Sequence, residues 1–121
     1  MDSLWVIQDK SEVNEMKEVI VLAFNNCLSS GIFGVLDVFE ICNDFWKRQE
    51  GKECNFFEVK LVTADGDPVR GFNSTIVNPV LSVNEVERSD LIIVPPIMNQ
   101  IDKVINDNAP IIPWLKPKKI S

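Results

Sequence analysis

The chain has 121 residues, 45% hydrophobic and 25% charged, with a formal net charge of −6 and no histidine. That balance suits one globular domain and argues against a surface that grips nucleic-acid phosphates, which is usually basic. It also removes the commonest general base.

Residues 1–17 carry a short apolar patch, Leu4 to Ile7, and then a polar run. They predict an N-terminal extension or short helix, with the domain proper over 18–121. Val19 to Phe24 is a continuous β-branched-rich run without alternation, as expected for a strand buried on both faces of a parallel sheet. Asn25 to Ser30 is a polar break, in which Ser29 or Ser30 can cap the next helix. From Ile32 to about Gln49 the apolar spacing is helical. Ile32, Val35, Leu36, Phe39, Asn43 and Trp46 form one stripe, with Val38, Ile41, Cys42 and Phe45 beside it. So wide a stripe predicts contact with the sheet and with a second body, another helix or a dimer mate. Gly51 ends the helix.

Phe56 to Thr63 is the second strand, and Ala64 to Pro68 a turn built on Asp-Gly and proline. Val69-Arg70 and Ser74 to Val77 predict a small hairpin, broken by Asn78-Pro79. Ser82 caps a one-turn helix over 83–86. Leu91 to Val94 is the last strand, followed by Pro95-Pro96, a helical stretch from Met98 to Asn106, a short turn from Ile111 and a basic tail from Lys116. These elements make up about half of an α/β domain before Ser121, so a doubly wound sheet is expected to be incomplete on its C-terminal side.

No apolar run approaches the ~20 residues that span a bilayer, and the N-terminus lacks a basic-then-apolar leader pattern. Cys27, Cys42 and Cys54 have no C-x-x-C spacing, so neither zinc nor a disulfide framework is expected, nor any cofactor. The default location is a reducing cytoplasm.

The stretches VIVLAF, SSGIFGVLDVFEICN, FEVKLVTADGDPVRG and SDLIIVPP stand in a telling order. Their marks are Gly34, Leu36, Asp37 and Phe39 in the helix, the Ala64 to Val69 turn, and the strand from Ser89 to Pro95. Together they resemble the PfpI-type, class I glutamine-amidotransferase-like domain, most closely that domain at the N-terminus of AraC-type transcription regulators. The resemblance spans roughly Val19 to Leu115. It implies a flavodoxin-like sheet with helices on both faces and a homodimer. In enzymatic branches it implies a cysteine on a nucleophile elbow, after a strand beyond Ser121, supported by an acidic residue near the first helix start. Here that start offers Gly31, Ile32 and Phe33. The regulator branch implies a sensing or dimerising domain without chemistry, followed by DNA-binding helix-turn-helix motifs that this chain does not contain.

Cys27 lies just past the first strand. A reactive thiol there needs a lowered pKa, and without histidine or an elbow it reads as structural. Cys42 reads as packing and Cys54 as an exposed thiol. Asp37 and Glu40 share a helix face, as acid/base pairs sometimes do, but read as a solvated edge with Lys47 or Arg48 for partners. Asp65-Gly66-Asp67 resembles part of a calcium loop that Pro68 and Val69 interrupt. Pro95 and Pro96 remove two N–H donors where an oxyanion hole would form. They could instead wall a ligand pocket that Asn25, Asn26, Ser29 and Ser30 also line.

The leading expectation is a non-catalytic regulatory domain that senses an unidentified small-molecule effector or dimerises. It would meet DNA only through a domain absent from this chain, and it would not meet a membrane. The alternatives are a cysteine-dependent hydrolase or hydratase whose catalytic half is missing, and a stand-alone dimerising module.

Overall fold

The computed structural model describes residues 16–115. The expected extension over 1–17 falls almost wholly, and the expected basic tail wholly, outside the described residues.

β-branched side chains fit a pleated, covered surface, and the two richest runs form the centre of the sheet. They are β1, Lys17–Leu22, and β2, Phe57–Thr63. A hairpin of β3, Val69–Arg70, and β4, Ile76–Val77, forms a separate two-stranded sheet. Then come β5, Leu81–Ser82, and β6, Leu91–Ile93. The main sheet is four-stranded in the order β5-β2-β1-β6, and every pair in it is parallel. Strand β5 is absent from the sequence reading, because Leu81 and Ser82 show no period and, unlike β3 and β4, have no adjoining turn and return strand to mark them.

Among the described residues, helices α1, Ser29–Glu50, and α2, Ile101–Asp107, flank this sheet. Register shows which face each one covers. Val19 pairs with Val59 and Val21 with Leu61, so these four project to one side. Phe57 and Val59 line one hollow with Leu36 and Asn43 of α1, which places α1 there. Ile20 and Leu22 project to the other side, where Leu22 and Phe24 meet Val104 and Ile111. The expected helices on both faces are therefore present. Val19, Ile20, Val21 and Leu22 are at most 2% exposed. Each such burial contributes roughly 1.5–3 kcal/mol.

Helix α1 buries Ile32 and Asn43, with Val35, Leu36 and Phe39 half-buried. The expected stripe is thus the packed face. Gly51 closes the helix in the left-handed region at φ 64°, its N–H donating to the Lys47 carbonyl. Three local expectations need correction. Neither Ser29 nor Ser30 caps α1, because Leu28 occupies that position without a side-chain bond and the Ser29 hydroxyl is drawn to Asn73. Cys42 is exposed, since it sits beside the packed stripe rather than on it. The last helix starts at Ile101, not Met98, because Gln100 before it adopts positive φ.

Elsewhere the local chemistry follows the sequence. Gly66 has φ 85° in the Ala64 to Pro68 turn. Thr63 Oγ1 accepts the Gly66 N–H at 3.0 Å and donates to the Asp67 carbonyl at 2.8 Å. Ser82 and Glu85 form a capping box over the short 3-10 turn Val83–Glu85. Asp90 fastens β6 to β1. Its Oδ2 accepts the Glu18 N–H at 2.7 Å, and its own N–H donates to the Glu18 carbonyl at 2.8 Å. The Glu18 N–H, helped by Arg88, holds the Asp90 carboxyl below its usual range.

Candidate functional site

The carboxyl ends of β1 and β6 meet at the start of α1, and all six candidate residues converge there. The polar break after β1 serves mainly as an anchor for the hairpin. Asn25 Oδ1 accepts the Arg70 N–H at 2.9 Å, and the Asn26 N–H donates to the Arg70 carbonyl at 2.9 Å. Asn26 adopts φ 71°, a conformation asparagine tolerates better than most side chains. The Ser29 hydroxyl donates to Asn73 Oδ1 at 2.8 Å, and that same oxygen accepts the Thr75 N–H at 3.1 Å.

The proline pair packs from the opposite side. Pro95 is buried and Pro96 exposed, and the Pro96 carbonyl accepts the Leu28 N–H at 3.1 Å. A Cβ at Gly31 would stand 2.9 Å from Pro96 Cδ and 3.3 Å from Pro95 Cβ. Gly71 is similarly tight, its Cβ direction 3.2 Å from Ser29 Cβ. Loop, hairpin and proline pair therefore lock together. The side chains of Asn25 and Ser29 are engaged within the chain, while the Ser30 side chain faces solvent.

Cys27 lies at the centre of this lock. Its N–H donates to the Phe24 carbonyl at 3.1 Å, its carbonyl accepts the Phe72 N–H at 2.7 Å, and it bridges Ile97. Cys27 is 0% exposed. Burial pushes its thiol above the ordinary 9.0, and hydrogen bonds with the backbone of Phe24 and Cys27 offset this only in part. A thiol of this kind is inert. In native protein at pH 8, a thiol reagent is expected to modify Cys54 at least about a hundredfold faster than Cys27. Cys27 becomes reactive only on unfolding, because reagent must wait for local opening. Mass spectrometry of quenched, digested samples checks this.

Asp37 and Glu40 are both exposed, as expected of a solvated edge, although Arg48 pairs with Asp44 rather than with either. Among the described residues no group of acidic or cysteine side chains could hold a metal. The Asp65 carboxylate instead accepts the Asp67 N–H at 3.0 Å, which makes this segment a turn.

Two apolar features were only partly legible in the sequence. The first is the outer face of α1, where Val38, Ile41 and Phe45 are 56, 67 and 61% exposed. The sequence placed these residues beside the stripe and predicted a second body against them, another helix or a dimer mate, without deciding between the two. The second is a hollow between the β1 and β6 ends and α2, lined almost wholly by carbon. Its sequence signal was the helical stretch expected from Met98 to Asn106, which carries Val104 and Ile105.

No family model matches the chain, and no curated protein matches it. Solved structures do. A candidate transcriptional regulator from Vibrio parahaemolyticus aligns at TM-score 0.57 and 20% identity, over 74% of this chain and 46% of its own. A DJ-1 superfamily protein from Agrobacterium tumefaciens aligns at TM-score 0.50 and 14% identity, over 86% of this chain and 50% of its own. An AraC family transcriptional regulator from Pseudomonas putida aligns at TM-score 0.48 and 17% identity, over 77% and 58%. The chain spans about half the length of the solved structures it matches. At these identities the likeness is one of fold alone: a mostly parallel α/β sheet flanked by helices, shared with the DJ-1 superfamily protein. No helix among the described residues is long and apolar enough to cross a membrane.

Proposed function

We propose that this chain is a non-catalytic regulatory module of an AraC-type transcription regulator, and that it acts in the cytoplasm by self-association. The observation that carries this reading is the uncovered apolar face of α1. Contiguous apolar surface on a helix marks a contact site. Gly34, Val38, Ile41 and Phe45 follow the four-three-four spacing of a helix–helix seam. A Cβ at Gly34 would meet nothing within 4 Å, so the seam has a gap at one end and a Phe45 ring at the other. In an antiparallel pair, each ring would fill the other copy's gap.

Other observations support the same reading. The net charge of −6 disfavours direct phosphate contact, so DNA would be met through another domain. The buried Cys27, with its raised pKa, offers no thiolate for hydrolysis. The fold shared with the Vibrio regulator fits a regulatory role.

Light scattering over a range of concentrations tests the proposal. The wild-type chain is expected to form a dimer, and Ile41→Glu a monomer with an unchanged circular dichroism spectrum. Ile41 is 67% exposed, so the substitution costs the isolated fold little. A wild-type chain that stays monomeric at every concentration would refute self-association.

A further inference from the structure

We propose that the hollow at the carboxyl ends of β1 and β6 binds a small, uncharged, apolar molecule about the size of one aromatic ring. The site is independent of the α1 face and goes beyond the self-association reading.

Topology locates it. The chain runs from β1 to β2 on one side, and later returns to place β6 on the other side of β1. The strand order therefore reverses between β1 and β6. In parallel α/β sheets, connections diverge at such a point and leave a crevice beyond the strand ends, where ligands bind. Here Leu22 and Phe24 form one wall, Val94 and Ile97 after β6 a second, and Ile105 and Ile111 the roof.

Chemistry and size then select the occupant. Among the described residues Asn108 is the one polar residue in the lining, and its amide donates to the Val104 carbonyl at 2.8 Å. Among the described residues of the lining a charged ligand would find no counter-charge, and it would lose its hydration. The volume is ≈ 120 Å³. Cavities of about 150 Å³ lined by Leu, Ile and Phe remain dry and accept benzene. A peptide helix or strand needs a longer groove, so a small molecule fits better than a protein segment. Val94 and Ile105 at the rim are 49 and 46% exposed, so a ligand can enter without unfolding the domain.

Toluene serves as the probe, titrated into the full 121-residue chain with isotope-labelled isoleucine methyls. Saturable shifts are expected at Ile97, Ile105 and Ile111, with none at Ile20, Ile32 or Ile41. Ile105→Trp fills the hollow and is expected to weaken binding at least about tenfold. Val94→Asn makes the rim polar, should act in the same direction, and serves if the tryptophan variant does not fold. Three outcomes would overturn the site: no saturation up to the solubility of toluene, equal shifts at Ile41, or full binding by both variants. Shifts at the three reporters on simple dilution, without toluene, would assign the hollow to a second copy of the chain and also overturn the proposal. Loss of the α1 dimer in Ile41→Glu with toluene binding intact would leave this site standing.

Discussion

Replacing Asn43 with leucine is expected to destabilise the fold by about 3 kcal/mol, although leucine is the more apolar residue. Asn43 is 3% exposed on the packed face of α1. Its Nδ2 donates to the Phe57 carbonyl at 3.0 Å, and its Oδ1 accepts the Phe56 and Phe57 N–H groups at 3.1 and 2.9 Å. One side chain therefore ties α1 to the entry of β2. Leucine would leave three backbone groups without partners. Each unsatisfied buried group costs about 1–3 kcal/mol, but Phe57 is only half-buried, so water relieves part of the sum. The gain from burying leucine, at most about 3 kcal/mol, does not offset this, because a branched side chain must also fit a space shaped for a planar amide. Asn43→Asp keeps an acceptor for both N–H groups but sets a carboxylate oxygen against the Phe57 carbonyl in a buried site, so it should lose at least as much at pH 7. Urea unfolding at pH 7 measures both variants. A loss under about 1 kcal/mol for Asn43→Leu would mean that this tie matters little to the fold.

Gly31→Val is expected to destabilise the domain by about 2 kcal/mol and to expose Cys27. Two effects oppose each other. Glycine in a helix is about 1 kcal/mol less favourable than alanine, and valine recovers roughly half of that. Against it stands the proline pair, with Pro96 Cδ only 2.9 Å from where a Cβ must go. A proline ring cannot rotate away, and overpacking of this kind costs about 1–3 kcal/mol, with the second valine methyl adding to the crowding. The clash outweighs the propensity gain. Moving the loop would also strain the Leu28 N–H bond to the Pro96 carbonyl, which helps close the shell around Cys27. Native-state modification of Cys27 should then accelerate, about tenfold for each 1.4 kcal/mol lost from local closure. A variant with wild-type stability and an unreactive Cys27 would show that the proline loop yields freely.

Val19 to Leu22 announced a parallel sheet because a strand covered on both faces is apolar throughout. Gly51, Gly66 and Ser82 were readable for a different reason, since each satisfies a demand of the backbone within a few residues. The candidate site was legible as a location and not as a set of roles. Asn25, Asn26, Ser29, Ser30, Pro95 and Pro96 do gather at one place, because strand ends in a parallel sheet must. Their partners, Arg70 and Asn73, lie more than forty residues away in sequence, and no spacing rule reaches them. Cys42 was misjudged because the boundary of a helical stripe is decided by what packs on it.

By itself, the sequence determined the order of the elements, the two central strands, the packed stripe of α1 and the absence of histidine chemistry. These follow from periodicity, composition and local backbone preference, which act over a few residues. Only the tertiary structure decided that β6 lies on the far side of β1, that Asn43 serves as a clasp, that Cys27 is sealed, and that Val38, Ile41 and Phe45 stay bare. Each of these depends on which distant segment arrives against a given side chain, and that is settled by packing through space.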